Sequence, residues 1–322
     1  MIKDLECDMK KFLFLVLALV GFSIAQTYAQ QSTDTAMATQ PQKEDTWKID
    51  FDDVYSNIFG PSSDQLHHSS PTIEMSFGIN NPDYSNSNFK ENNVEHNMLN
   101  LKLGTSNAFK LYENPKIIEY NFGYMNISNT TRDFPKKYTD AGLKLNSWSI
   151  GMHNSDGYGY RLWENGSLIL FHTEGFDWNV INFSHINGSA DTAIAKANKD
   201  AINLFDNHVR FGKTWESGAK LYITKGVAIN ASYQRSLVYP RHLFFYDLVS
   251  SGVEVISQQV LNQFLEHGRR ESLQYMPVVR WVLKSALSYG LYELRRENMN
   301  WPIKTAEPFM FESAKVGLTF SM

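Results

Sequence analysis

The chain has 322 residues, of which 43% are hydrophobic, 14% aromatic and 20% charged. That is too apolar and aromatic for a disordered chain, and Gly 19 and Pro 10 give none of the bias of a fibrous one. A formal charge of -4 leaves no broad basic face for nucleic acid, and a single cysteine, Cys7, excludes a disulfide scaffold or a thiolate metal site.

Lys10 and Lys11 precede an unbroken apolar run from Phe12 to Phe22, which gives way to small and polar residues. A positive start, a short apolar segment and small residues at Thr27 and Ala29 describe a secretory signal over 1–29, with Gln30 as the mature start. The run is about half as long as a bilayer-spanning helix. Residues 30–70 are rich in Gln, Thr and Ser without a period, so a flexible tail is expected. Asp34-Thr35-Ala36 in this tail, and Asp191-Thr192-Ala193 further on, resemble the acceptor triplet for O-glycans in Bacteroidota.

From 71 to 322 the pattern changes to apolar residues at every second position, the mark of strands with one greasy face and one wet one. Ile73, Met75, Phe77 and Ile79 follow it, as do Leu99, Leu101 and Leu103, then Ile118, Tyr120, Phe122 and Tyr124. The segment 142–153 begins in one phase and ends in the other, which predicts a bulge. Shorter runs cover 158–164, 167–174 and 176–186, with turns expected at Asn154–Gly157 and Glu174–Gly175. Ala219, Leu221 and Ile223 lead through Lys225-Gly226 into Val227, Ile229, Ala231 and Tyr233, a hairpin. With a last run over 309–322 the count is about ten strands, eight to twelve being compatible. An even number puts the tight turns at one end and 81–96, 127–141, 187–206 and 240–308 at the other. The linker 106–115 is longer than its end predicts.

Two segments read as helical. Residues 190–206 are Ala-rich and suit a short helix. About 241–300, Leu248, Val249, Val253, Ile256, Val260 and Phe264 recur at helical spacing up to Gly268. A second stripe after Pro277 carries Val279, Val282, Leu283, Ala286 and Leu287. Both are amphipathic and interrupted by charge. An inserted helical hairpin that caps the barrel for a protein partner, plugs its lumen or leans on the lipid surface is expected.

The last octet, Lys315-Val316-Gly317-Leu318-Thr319-Phe320-Ser321-Met322, resembles the C-terminal β-signal of bacterial outer-membrane barrels. Lys315 supplies its polar position, Gly317 the glycine, and Phe320 and Met322 the two apolar ones, Met322 replacing the commoner terminal Phe. The resemblance is to Bacteroidota-type outer-membrane β-barrel proteins. It implies a mainly β, antiparallel transmembrane barrel inserted by the barrel assembly machinery and surrounded by outer-membrane lipid; it implies no activity.

Candidates for chemistry are few. His153-Asn154-Ser155-Asp156 resembles the His-x-Ser-Asn element of outer-membrane phospholipase A and lipid A deacylase barrels, with Asp156 where those have Asn. The resemblance implies His153 as base and Ser155 as nucleophile; the residues also compose an ordinary polar turn. His67-His68 lacks a third ligand at metal spacing, so neither metal nor cofactor is expected. Lys220, Asn230, Ser232, Gln234 and Lys315 alternate with apolar residues and are expected to face the lumen as a packed polar network. Three functions follow from the sequence: a non-enzymatic outer-membrane barrel, a lipid hydrolase using His153 and Ser155, and a narrow pore for small solutes.

Overall fold

A computed structural model describes residues 70–84, 96–110, 116–131, 144–184, 202–241, 243–269 and 274–322. The secretory signal expected over 1–29 and nearly all of the tail expected over 30–70 lie outside these residues. Eight antiparallel strands close into a barrel in sequence order. They are β1 (Ser70–Tyr84), β2 (His96–Lys110), β3 (Ile117–Thr131), β4 (Lys144–Trp163), β5 (Gly166–Ser184), β6 (Val209–Thr224), β7 (Val227–Val238) and β8 (Phe309–Ser321). Two helices, α1 (Phe244–Arg269) and α2 (Met276–Glu297), are inserted between β7 and β8.

The ten-strand expectation is corrected to eight, because β4 and β5 run without interruption through both expected turns. Residues 154–157 pair with 171–174 in unbroken register. Gly175 is there for room: a Cβ on it would lie 2.5 Å from the His153 ring. The loss of two false turns leaves the parity unchanged. Glu164-Asn165, Lys225-Gly226 and 111–116 join strands at one end; 85–95, 132–143, 185–208 and 239–308 join them at the other. The long linker is explained too, since β2 extends to Lys110 and shortens it. In 144–153, the described part of the segment 142–153, the expected bulge is absent, and the register of β4 against β5 shifts only at Arg161/Trp163. Of the helix expected over 190–206, the described part is one helical turn at 202–205.

Hydrogen-bonded neighbours traced once around the wall run from Glu74 through Lys102, Asn126, Gly151, Asp177, Gly212, Val238 and Phe309 to Tyr84, ten residues further along β1. Such a stagger over eight strands tilts them by roughly 35–45° and leaves an interior that side chains can fill. Alternation sorts the residues. Met75, Phe77, Leu99, Met125, Val316 and Leu318 face outward and are exposed, while Glu74, Asn100, Lys102, Glu216, Lys220 and Lys315 face inward and are buried.

Candidate functional site

The interior is built in layers. At the tight-turn end a cavity of about 350 Å³ opens, floored by Tyr120, Ile169 and Tyr222 and rimmed by Arg161 and Glu164. Above it lies an ion cluster of five side chains contributed by four strands, β1, β2, β6 and β8. Lys102 Nζ is 2.7 Å from Glu74 Oε1 and 2.9 Å from Glu216 Oε1; Lys220 Nζ is 2.7 Å from Glu74 Oε2; Lys315 Nζ is 3.0 Å from Glu216 Oε2. Lys220 also donates to Tyr120 Oη at 2.9 Å and sits 4.7 Å from the Phe122 ring centroid. Charges this deeply buried are tolerable only when paired, and each of the five is.

The next layer holds His153, whose Nε2 lies 3.0 Å from Asp177 Oδ1 and whose ring stacks on Tyr124 at 5.3 Å. Asn126 and Thr214 donate to the same carboxylate. At the loop end Tyr84, Leu145, Ile181, Val238, Phe309 and Phe311 close over the lumen with Phe205, which enters from the helical turn at 202–205. The interior is therefore filled, layer on layer, rather than open along its axis.

His153 and Ser155 do share a face, but it is the inner one, in mid-strand and not at a turn. They are 7% and 1% exposed, while Asp156 projects from the opposite face. The Ser155 hydroxyl and His153 Nδ1 make no hydrogen bond among the described residues. A hydrolase acting on membrane lipid needs its nucleophile where lipid can reach it, and the barrel wall stands between. Among the described residues there is also no cluster of three metal-ligating side chains.

Sequence reasoning placed Lys220 and Lys315 in the lumen and missed Glu74, Lys102 and Glu216, their partners. The available clue was a lone charge at a lumen-phase position in β1 and in β2, Glu74 and Lys102, and Glu216 in phase with Lys220 in β6. It also missed a second polar constellation, on the outer wall. Asp156, His172 and Ser217 are hydrogen-bonded neighbours across β4, β5 and β6, all facing outward. With Glu174 and Lys213 they form a patch in mid-wall, since Trp148, Ile150, Phe176 and Trp178 lie on its loop side and Leu168, Leu170, Ala219 and Leu221 on its turn side.

The helices cover this patch. Lys284 Nζ on α2 is 2.6 Å from Asp156 Oδ2, with Arg280 at 3.8 Å. Ser288 Oγ lies 2.9 Å from His172 Nε2, and His172 Nδ1 lies 3.0 Å from Ser217 Oγ, which in turn accepts from Ser285 at 3.0 Å. On α1, Gln258 donates to Glu174, while Glu254 accepts from Trp215 Nε1 at 2.8 Å and pairs with Lys213 at 3.4 Å and with Arg295 at 2.7 Å. Of the three expected placements of the helical insertion, a position over the mouth and one inside the lumen do not hold, because α1 and α2 pack on the outside of the wall.

No family model and no curated protein matches the sequence. Among solved structures, Neisserial surface protein A is similar at 8% identity and a TM-score of 0.36, covering 79% of this chain and 99% of that one. The attachment invasion locus protein Ail of Yersinia pestis is similar at 8% identity and a TM-score of 0.32, with the same coverage. A structure of the outer membrane protein Ail in a phospholipid nanodisc gives 12% identity and a TM-score of 0.26 over 78% of this chain and 99% of that one. The functional reading therefore rests on the geometry of this chain.

Proposed function

We propose that this protein is a bacterial outer-membrane β-barrel with a filled lumen, acting through surfaces rather than through catalysis or conduction. The observation that carries this reading is the inversion of polarity: ions and amides inside, an apolar belt outside. A soluble barrel would have the reverse arrangement, while a bilayer requires this one, since the backbone of a closed sheet is satisfied internally and lipid meets only side chains. The secretory signal over 1–29 and the C-terminal octet with Lys315, Gly317, Phe320 and Met322 support export and insertion by the barrel assembly machinery. In β8 the octet alternates as insertion demands, with Val316, Leu318 and Phe320 outward and Lys315 inward. Gly317 lies where β8 meets β1, and a Cβ there would be 2.3 Å from the Met75 carbonyl oxygen.

The filled interior speaks against the narrow pore, and the inward, walled-off His153 and Ser155 against the lipid hydrolase. The test is envelope fractionation followed by electrophoresis with and without boiling, then reconstitution in a planar bilayer. The expected result is an outer-membrane band that shifts on heating and a bilayer without discrete conductance steps. Recovery in the periplasmic fluid without a heat shift overturns the membrane reading; regular conductance steps overturn the filled lumen.

A further inference from the structure

The hairpin has its polarity turned the same way as the barrel. Every described charged side chain from Asp247 to Arg296 is ion-paired, to the wall or within the hairpin. The residues turned away are apolar apart from Gln263 towards the end of α1 and Glu297 at the last position of α2. On α2 the exposed positions between Met276 and Arg296 are Val278, Val282 and Ala286. On α1 Val249 and Ile256 continue the same surface. Ile256 is 58% exposed and Val282 48%, values matched on the barrel belt by Met75 at 52% and Leu99 at 51%. A helix pair packed on a barrel in water would point its charges outward and its valines at the wall. Neither helix is long and apolar enough to cross a membrane alone, and neither needs to be, because only one side of each is bare.

The hairpin also stands along the wall rather than across its mouth. Near the start of α2, the Gln274 carbonyl accepts from Tyr160, close to the tight-turn end of β4; at the far end of α2, Arg296 pairs with Asp83 at the loop end of β1. Its 22 residues span about 33 Å at 1.5 Å per residue, matching a hydrocarbon layer about 30 Å thick. An interfacial amphipathic helix would instead lie in the plane of the membrane with its charges in water. The wall beneath supplies the energetic reason. A bare charge on a barrel's lipid face costs about 2–4 kcal/mol at mid-bilayer for Lys and less for Asp or Glu, and this wall carries Asp156, Glu174 and Lys213 together.

We infer that the α1–α2 hairpin is embedded in the bilayer against the barrel, its outer face in contact with lipid acyl chains, so that the lipid-facing perimeter is eight strands plus two helices. The inference rests on the membrane reading above, and the test separates the two. Cys7, the chain's only cysteine, is replaced by serine, and single cysteines are placed at Ile256, Val282, Met75 and the tight-turn residue Lys225. Each variant is checked for its heat shift, labelled with bimane and reconstituted in phosphatidylcholine vesicles. Quenching is then measured with lipids carrying a mid-chain doxyl group and with aqueous iodide. The expected result is doxyl quenching at Ile256 and Val282 within about a factor of two of Met75, because all three face the same hydrocarbon layer, with iodide reaching only Lys225. Iodide quenching at Ile256 and Val282 beside a doxyl-quenched Met75 overturns the inference and leaves the barrel reading intact. Protection of those two from both quenchers also overturns it, and assigns that face to a protein partner or a second copy. Iodide quenching at Met75 brings down the membrane reading itself.

Discussion

Replacing Glu216 by glutamine tests whether the lumen is a dry, paired interior. Glu216 is contacted by Lys102 at 2.9 and 3.1 Å and by Lys315 at 3.0 Å, with none of these side chains more than 2% exposed. Removing one partner from a buried ion pair costs about 3–5 kcal/mol because the other charge is left uncompensated. Glu216 serves two lysines, so Glu216→Gln belongs at the top of that range, about 5 kcal/mol. Lys315→Met leaves Glu216 with its two bonds to Lys102, so its cost is smaller, about 1–3 kcal/mol. The combined variant keeps Lys102 and Lys220 around Glu74 and restores the original excess of one positive charge. It should therefore be more stable than the sum of the single changes predicts, by about 2–3 kcal/mol. The assay is reversible urea unfolding from phosphatidylcholine vesicles, followed by tryptophan fluorescence. Single costs below about 1 kcal/mol that simply add would refute the reasoning, since screened charges behave so and a screened lumen contains water. That outcome would also reopen the conducting pore.

The remaining predictions concern closure and the outer seam. Gly317→Val places a branched side chain against the Met75 carbonyl and within 2.6 Å of where Ser76 Cβ lies, so β1 and β8 cannot close in register. The heat-shifted band should be lost, and a normal yield of it in the outer membrane would show that closure does not need this approach. At the seam, Asp156→Ala should loosen the hairpin more than Lys284→Met. The first leaves an 8% exposed ammonium without its carboxylate, while the second leaves a 31% exposed carboxylate that still has Arg280 nearby. Limited proteolysis of vesicle-bound protein reads the difference as faster cleavage within 244–297, and the opposite order would mean that Lys284 is not held by Asp156.

The barrel was legible in the sequence wherever a strand has one wet and one greasy side. β1, β2, β3, β7 and β8 are such strands, and Ile73 to Ile79 or Val316 to Phe320 announce them directly. β4 and β5 failed for a definite reason. Their outward residues Asn154, Asp156, His172 and Glu174 are polar because helices 84 to 128 positions further along the chain cover Asp156, His172 and Glu174. A strand polar on both faces loses the alternation, and Gly157 and Gly175 then read as turns although they make room for neighbouring strands. The ion cluster was half legible. Lys220 and Lys315 sit in clean alternation, but pairing them with Glu74, Lys102 and Glu216 requires the ring closure that brings β1, β2, β6 and β8 around one axis. The spacing of His153 and Ser155 was read correctly as one face, yet spacing alone cannot say which side of a closed wall that face is.

The outer seam and the lumen solve the same problem in opposite directions. Inside, a narrow barrel cannot hold water around five charges, so lysines and glutamates from several strands are packed until each has a partner. Outside, the wall between β4 and β6 presents charges where lipid would be, and the hairpin brings the complementary ones. An apolar wall with an apolar hairpin would bury as much surface but would allow the helices to slide, since dispersion contacts between greasy surfaces specify register poorly. Paired charges specify it well, because any shift leaves one of them bare. Tyr160 fixes the foot of α2, Asp156 and His172 its middle and Asp83 its head. Three fixing points on three strands also make the hairpin a brace across β4, β5 and β1, so its release would expose the polar wall and uncouple those strands together.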